Sequence, residues 1–169
     1  MSKREFQKYL KELPKKELEL QLLNLYNTFT PVKVYYNFIF NPDEEKLLQA
    51  AKIKISEEYF PTKRKRPRAR RSIAQKHIKH FGVLGMDPYL VADLMCYNLE
   101  IAQTFSIESK VVSSFFKSMA NSFTELTAYL SHHGLIADFK ERLMAIYTTA
   151  GKERWTYIEQ FSKALDILE

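Results

Sequence analysis

Glycine is scarce in this chain, with four residues in 169, at positions 82, 85, 134 and 151. Cysteine and tryptophan occur once each, and no stretch approaches 18 consecutive apolar residues. Each scarcity narrows the possibilities. There is no Gly-rich phosphate loop, and GxSxG, HExxH and CxxC patterns are also missing, which weighs against an enzyme. Cys96 has no second cysteine to pair with, so no disulfide framework holds the fold and a reducing, cytoplasmic setting is expected. No membrane span is expected from such short apolar runs. The amino terminus, MSKREFQKYLKEL, is charged and amphipathic, without the apolar centre of an export signal.

What is present suffices for a core. Apolar residues make up 46% and charged residues 27% of the chain, close to the average of soluble globular proteins. A chain of this length is one ordinary domain, burying roughly two thirds of its unfolded surface. Positive charge is concentrated. Of 26 bases, seven (Lys63, Arg64, Lys65, Arg66, Arg68, Arg70 and Arg71) lie in the nine residues KRKRPRARR, and the remaining 19 face 20 acids. The sequence therefore describes a nearly neutral body with one basic segment.

Helical periodicity dominates on both sides of that segment. Ser2 opens a first helix with Phe6, Tyr9, Leu10 and Leu13 on its apolar face. A second, from Pro14, buries Leu18, Leu22, Leu25, Tyr26 and Phe29. Thr30-Pro31, Asn41-Pro42 and Asp87-Pro88 each set a side-chain oxygen before a ring of helical φ, the signature of a helix start. Asn41 is followed by Glu44 at capping-box spacing, which places a helix from Pro42 to about Phe60 with Leu47, Leu48, Ala51, Ile55 and Tyr59 inward.

Residues 31–40, PVKVYYNFIF, alternate as a strand would, but no second segment offers a partner for unpaired backbone groups, so a helix is expected. Further helices are expected from Ser72 to Phe81, Pro88 to about Phe105, about Glu108 to His132, Leu135 to Thr149 and Arg154 to Leu168. The heptad-like series Val112, Phe116, Met119, Phe123, Leu126 and Leu130 marks a central bundle helix. Each glycine falls where such a pattern stops. The expected fold is an all-α, single-domain bundle of eight or nine helices, with N-terminal helices over 1–60, a basic linker over 61–71 and C-terminal helices over 72–169.

Pro61, Pro67 and the mutual repulsion of seven like charges predict an extended, solvated linker. Lysines and arginines so gathered match the electrostatic footprint of RNA or DNA backbone binding, with Lys76 and Lys79 on the next helix joining the surface. An acidic protein, a lipid headgroup, or no ligand at all are the competing readings. No aromatic that could stack on a base lies inside the run, and Tyr59 and Phe60 beside it read as core.

Other polar features read as structural. His77 and His80 stand at metal-ligand spacing, but no third ligand is visible, and they read as a core and a boundary histidine. Cys96 shares a helical-wheel sector with Asp93, Glu100 and Gln103, away from the apolar centre, where acids raise its pKa. Asn98 reads as a satisfied core amide, and Asp43, Glu44 and Glu45 as acids favoured at a helix start. No catalytic residue, metal or cofactor is assigned.

The segments LPKKELELQLLNLY, FNPDEEKLLQAAKIKISEEYFP and MDPYLVADLMCYNLEIA carry a further signal. Through them the chain resembles, end to end, a bacterial family of uncharacterised, mostly helical proteins of about this length. The resemblance implies an all-α cytoplasmic protein and brings no activity with it. Two functional expectations stand: a binding module for nucleic-acid backbone, and an interaction scaffold or homodimer formed through surplus aromatic surface.

Overall fold

The computed structural model describes residues 1–166, and Leu168, expected on the buried face of the last helix, lies outside them. Among the described residues there are nine α-helices and no strand: α1 (Lys3–Glu12), α2 (Lys15–Thr28), α3 (Thr30–Phe40), α4 (Glu44–Tyr59), α5 (Arg71–Leu84), α6 (Pro88–Glu108), α7 (Ser113–His133), α8 (Ile136–Lys152) and α9 (Ile158–Leu165). The chain is all-α, and the alternating segment 31–40 is helical. It divides into two compact units, Met1–Asp43 and Glu44–Glu169.

In the first unit, Ser2 and Glu5 form a reciprocal capping box: the Ser2 hydroxyl accepts from the Glu5 N–H at 3.3 Å and the Glu5 carboxylate from the Ser2 N–H at 2.6 Å. Tyr26 donates to Asn37 Oδ1 at 3.0 Å across the α2–α3 pair, and Tyr36 stacks on Phe40. Thr30 is the first residue of α3 and gives no side-chain cap, which corrects its expected N-cap role. None of the three helices buries a residue. The faces expected to be buried, Phe6, Tyr9, Leu10 and Leu13 on α1 and Leu18, Leu22, Leu25, Tyr26 and Phe29 on α2, are half-buried or exposed. The reason is geometric: two paired helices cover one stripe of each other and leave the remaining apolar surface open without a third layer.

The second unit has a core. Helix α6 is hydrophobic nearly all round and buries ten residues, as a central helix must, with α4, α5, α7 and α8 packed about it. Asp87 caps it by accepting from the Tyr89 N–H at 2.8 Å. Asn41 closes α3, donating its N–H to the Asn37 carbonyl, so it does not cap the next helix, and α4 starts at Glu44 instead of Pro42.

Helix α6 runs on to Glu108, past the expected end at Phe105, and α7 starts at Ser113, leaving Val112 70% exposed outside the seam. Met119, Phe123, Leu126 and Leu130 are buried as expected. Gly85 and Gly134, at φ +74° and +68°, end α5 and α7 in the left-handed conformation that glycine tolerates, whereas Gly82 and Gly151 lie inside helices. The last helix begins at Ile158, not Arg154, because Arg154 and Tyr157 both take positive φ. The turn so made inserts Trp155 against Phe115, Phe116 and Phe161.

Asp93 of α6 meets Lys52 of α4 at 2.6 Å and Arg142 of α8 at 2.6 Å, and Arg142 also grips Glu100 at 2.9 Å. Three helices are tied by one alternating cluster of charges. Cys96 lies under this cluster and is fully buried, which corrects its expected outward sector.

Candidate functional site

The basic linker is docked in part: Arg64, Arg70 and Arg71 bond to the protein itself, while Lys63, Lys65, Arg66 and Arg68 stay exposed as a solvated linker would have them. Helix α4 ends at Tyr59 and α5 begins at Arg71, so residues 60–70 form an irregular strap between them. Its organiser is Glu58, a carboxylate only 6% exposed. The Glu58 carbonyl, one of the acceptors a helix C-terminus leaves unsatisfied, accepts from the N–H groups of both Arg68 and Ala69 at 2.9 Å. Its carboxylate accepts from Arg70 Nε at 2.8 Å and Nη2 at 3.0 Å, and from Arg64 Nη2 at 3.3 Å. Arg64 also donates to the Glu57 carbonyl. Ala69 adopts φ +48° to close this loop, a conformation costing an L-residue roughly 1–2 kcal/mol that the surrounding bonds must offset.

Hydrogen bonding from Arg70 holds the Glu58 carboxyl below the usual carboxylate range against the opposing effect of burial, with the Arg70 and Arg64 charges adding to it. Arg71 ties the far end of the strap to α7, donating to Ser122 Oγ at 2.7 Å and to Glu125 at 2.6 Å. Gln75, one turn on, donates to the other Glu125 oxygen at 2.8 Å. Three of the seven bases of the KRKRPRARR segment are thus spent on two of the protein's own acids.

The other bases divide by position. Lys63, Lys65, Arg66 and Arg68 on the strap and Lys76 and Lys79 on α5 are exposed, and none has an ion pair among the described residues. Lys63, Arg64, Arg68, Arg70 and Lys76 line a cleft of about 710 Å³ between the strap, α4 and α5. Lys65, Arg66 and Lys79 do not line it. Sequence reasoning missed the rest of the lining. On α4 it includes Lys54, Glu57 and Glu58, on α5 Ile73, His77 and His80. A signal was present: Lys54, Glu57 and Glu58 are spaced i, i+3, i+4, and Ile73, Lys76, His77 and His80 are spaced i, i+3, i+4, i+7, each a single helical stripe.

His77 is half-buried and its pKa is lowered, by burial first and then by His80 and the cations of Lys76 and Lys54. Arg64 Nη1 is enclosed with no hydrogen-bond partner among the described residues. Tyr59 is buried, as expected of core, and burial pushes its hydroxyl up to about 12.

The remaining candidates stay apart from the cleft. Burial pushes the Cys96 thiol up to about 12, against the lowering effect of Arg142 and with Glu100 and Asp93 adding to the rise. Asn98 is buried but its Oδ1 has no partner among the described residues, so it is not the satisfied amide expected. Glu44 accepts from the Asp87 N–H at 3.1 Å, a structural bond between the starts of α4 and α6. Among the described residues no three His, Cys, Asp or Glu side chains converge as a metal site would require, and no helix is long and apolar enough to cross a membrane.

No curated protein and no solved structure matches the chain. A family model does, over residues 1–169, and the chain belongs to that family, DUF6155, a family of unknown function.

Proposed function

We propose that the chain is a helical binding module whose basic face, the strap with the adjoining surface of α5, engages the phosphate backbone of RNA or DNA without reading sequence. One observation carries this reading: six exposed cations, Lys63, Lys65, Arg66, Arg68, Lys76 and Lys79, have no ion pair among the described residues, although Arg64, Arg70 and Arg71 do. The paired arginines hold the strap in shape, and the free bases supply outward charge. Such a surface binds phosphates by releasing counterions, which needs charge density more than fixed geometry. Its lack of a stacking aromatic favours backbone over base contact.

If the six free cations each neutralise a phosphate, log affinity for duplex DNA falls with log salt at a slope near −5. Fluorescence anisotropy over a salt series measures it. Absence of binding to both RNA and duplex DNA at about 50 mM salt rejects the reading.

A second reading, self-association, is favoured by a separate observation. The unit Met1–Asp43 has no buried residue, and it exposes Leu20, Leu23 and Phe40 at 66, 60 and 75%. An apolar groove of about 480 Å³ lies between α2 and α3, lined by Leu22, Leu23, Tyr26, Tyr36 and Phe40 with one acid, Glu19. Helical units of roughly 40 residues rarely hold together alone and commonly gain their core by pairing. A second copy supplies a matching face, the isologous arrangement most common in oligomers. Light scattering reads this: Leu23→Lys with Phe40→Lys shifts a dimer to a monomer, and a strict monomer at all concentrations in the parent protein rejects it.

A further inference from the structure

The cleft between strap, α4 and α5 differs from the exposed ridge beside it. A ridge of cations suits a polymer passing over it, whereas a concavity of about 710 Å³ falls within the roughly 300–1,000 Å³ of small-ligand sites. Six bases line it, Lys54, Lys63, Arg64, Arg68, Arg70 and Lys76, against only Glu57 and Glu58. Glu58 is already engaged by Arg70 and Arg64. The net charge of this lining, about four positive with neutral histidines, balances a chain of two or three phosphates at neutral pH and exceeds what one phosphate monoester carries.

We infer that this cleft is a site for a compact oligophosphate, the di- or triphosphate group of either a free nucleotide or an RNA 5′ end. Arginine forks and lysine point charges recognise such oxygens in complementary ways. Arg64 Nη1 is enclosed beside the cleft and meets no acceptor among the described residues, and buried donors of this kind are rare unless a ligand or water serves them. His77 and His80 bring imidazole N–H groups to the same wall. Burial is the first cause of the lowered His77 pKa, and the further lowering by His80, Lys76 and Lys54 fits a wall arranged for negative charge.

The inference rests on the reading above for the sign and location of charge, but it demands more: a discrete pocket, not a track. The charged and titratable groups that line the cleft with His77 are Lys54, Glu57 and Glu58 from α4, Lys63, Arg64, Arg68 and Arg70 from the strap, and Lys76 and His80 from α5. An oligophosphate among them counters the depressing cations, so the pKa of His77 rises on binding.

Inorganic tripolyphosphate, titrated at about 50 mM salt while the imidazole resonances are followed by NMR, is the probe. The expected result is saturable binding, an upward shift of the His77 pKa, and at least a tenfold loss of affinity in Lys54→Ser/Arg68→Ser/Lys76→Ser. That variant spares the Glu58 and Glu125 contacts. Lys117→Ser/Lys140→Ser/Lys152→Ser, which removes three exposed charges elsewhere, binds as the parent does. A nucleoside triphosphate and an RNA bearing 5′-triphosphate or 5′-hydroxyl separate the two sources: tighter binding of the first assigns free nucleotide, and preference for the 5′-triphosphate assigns the RNA end. Tripolyphosphate that leaves His77 unmoved, or equal losses in both triple variants, overturns the inference. If RNA also binds regardless of its 5′ end, the backbone reading survives that failure. If tripolyphosphate binds as described and no polymer does, the backbone reading falls and the pocket stands.

Discussion

Glu58 acts on the strap twice, through its carbonyl on the backbone of Arg68 and Ala69 and through its carboxylate on Arg64 and Arg70. Glu58→Gln keeps the backbone bonds and removes the charge. Charge-assisted hydrogen bonds are stronger than neutral ones, but Arg70 is nearly half exposed, and solvent screening keeps the loss of stability small. The sharper readout is local. The strap is rich in lysine and arginine, and limited trypsin digestion is expected to cut it several-fold faster in Glu58→Gln than in the parent. Equal rates would show that Glu58 does not hold it. Cys96, fully buried with its thiol pushed up to about 12, is expected to resist an aromatic disulfide reagent at pH 8 until denaturant unfolds the chain; immediate colour release in native buffer contradicts its placement.

At the scale of elements, Arg142 links α8 to Asp93 and Glu100 of α6, while Lys52 of α4 shares Asp93. Arg142→Ala leaves two carboxylates facing one lysine. Breaking a buried pair costs about 3–5 kcal/mol, and with Arg142 about one third exposed the expected loss in urea denaturation is about 2 kcal/mol. No measurable loss would mean that apolar packing of α6 alone fixes α8.

Helix identity was legible in sequence wherever apolar spacing and capping agreed, as at Ser2 and Asp87. Boundaries slipped where a local signal had two uses. Asn41 could open α4 or close α3, and only the tertiary fold decides. In the first unit, periodicity named an apolar face correctly but could not say whether anything covers it. The docking of three linker arginines was missed for a different reason. Repulsion within KRKRPRARR is real, yet Glu58 lies before the run and Glu125 more than 50 residues beyond it, and no local reading brings either to the arginines. The stripe Ile73, Lys76, His77 and His80 was readable and was divided between core and surface instead of taken as one wall.

For the whole molecule, acid should undo what charge holds together. Asp93, although burial favours its neutral form, is held below its ordinary 3.8 by Lys52 and Arg142, and Glu58 is held below 4.5 chiefly by Arg70. Depressed carboxylates add stability above their ordinary pKa and lose it as pH falls through the folded values. His77, lowered from 6.5, adds a smaller decline as pH drops below that value, because the unfolded chain takes the proton first. Melting temperature is therefore expected to be level from pH 7 to 9, to ease below about 6.5, and to fall steeply below about 4. A melting temperature unchanged down to pH 3 would deny that these pairs contribute.

The division of the basic segment into arginines that hold the strap and bases that face outward is open to one direct comparison. Two variants each remove three positive charges: Arg64→Ser/Arg70→Ser/Arg71→Ser takes the paired set, and Lys63→Ser/Arg66→Ser/Arg68→Ser takes three of the four free bases. Both are measured for melting temperature and for the salt dependence of duplex DNA binding. Removal of these free bases is expected to flatten the log–log salt slope by about 3 with the melting temperature unchanged, while removal of the paired set lowers the melting temperature by several degrees. Identical effects of the two variants on both quantities would contradict the division.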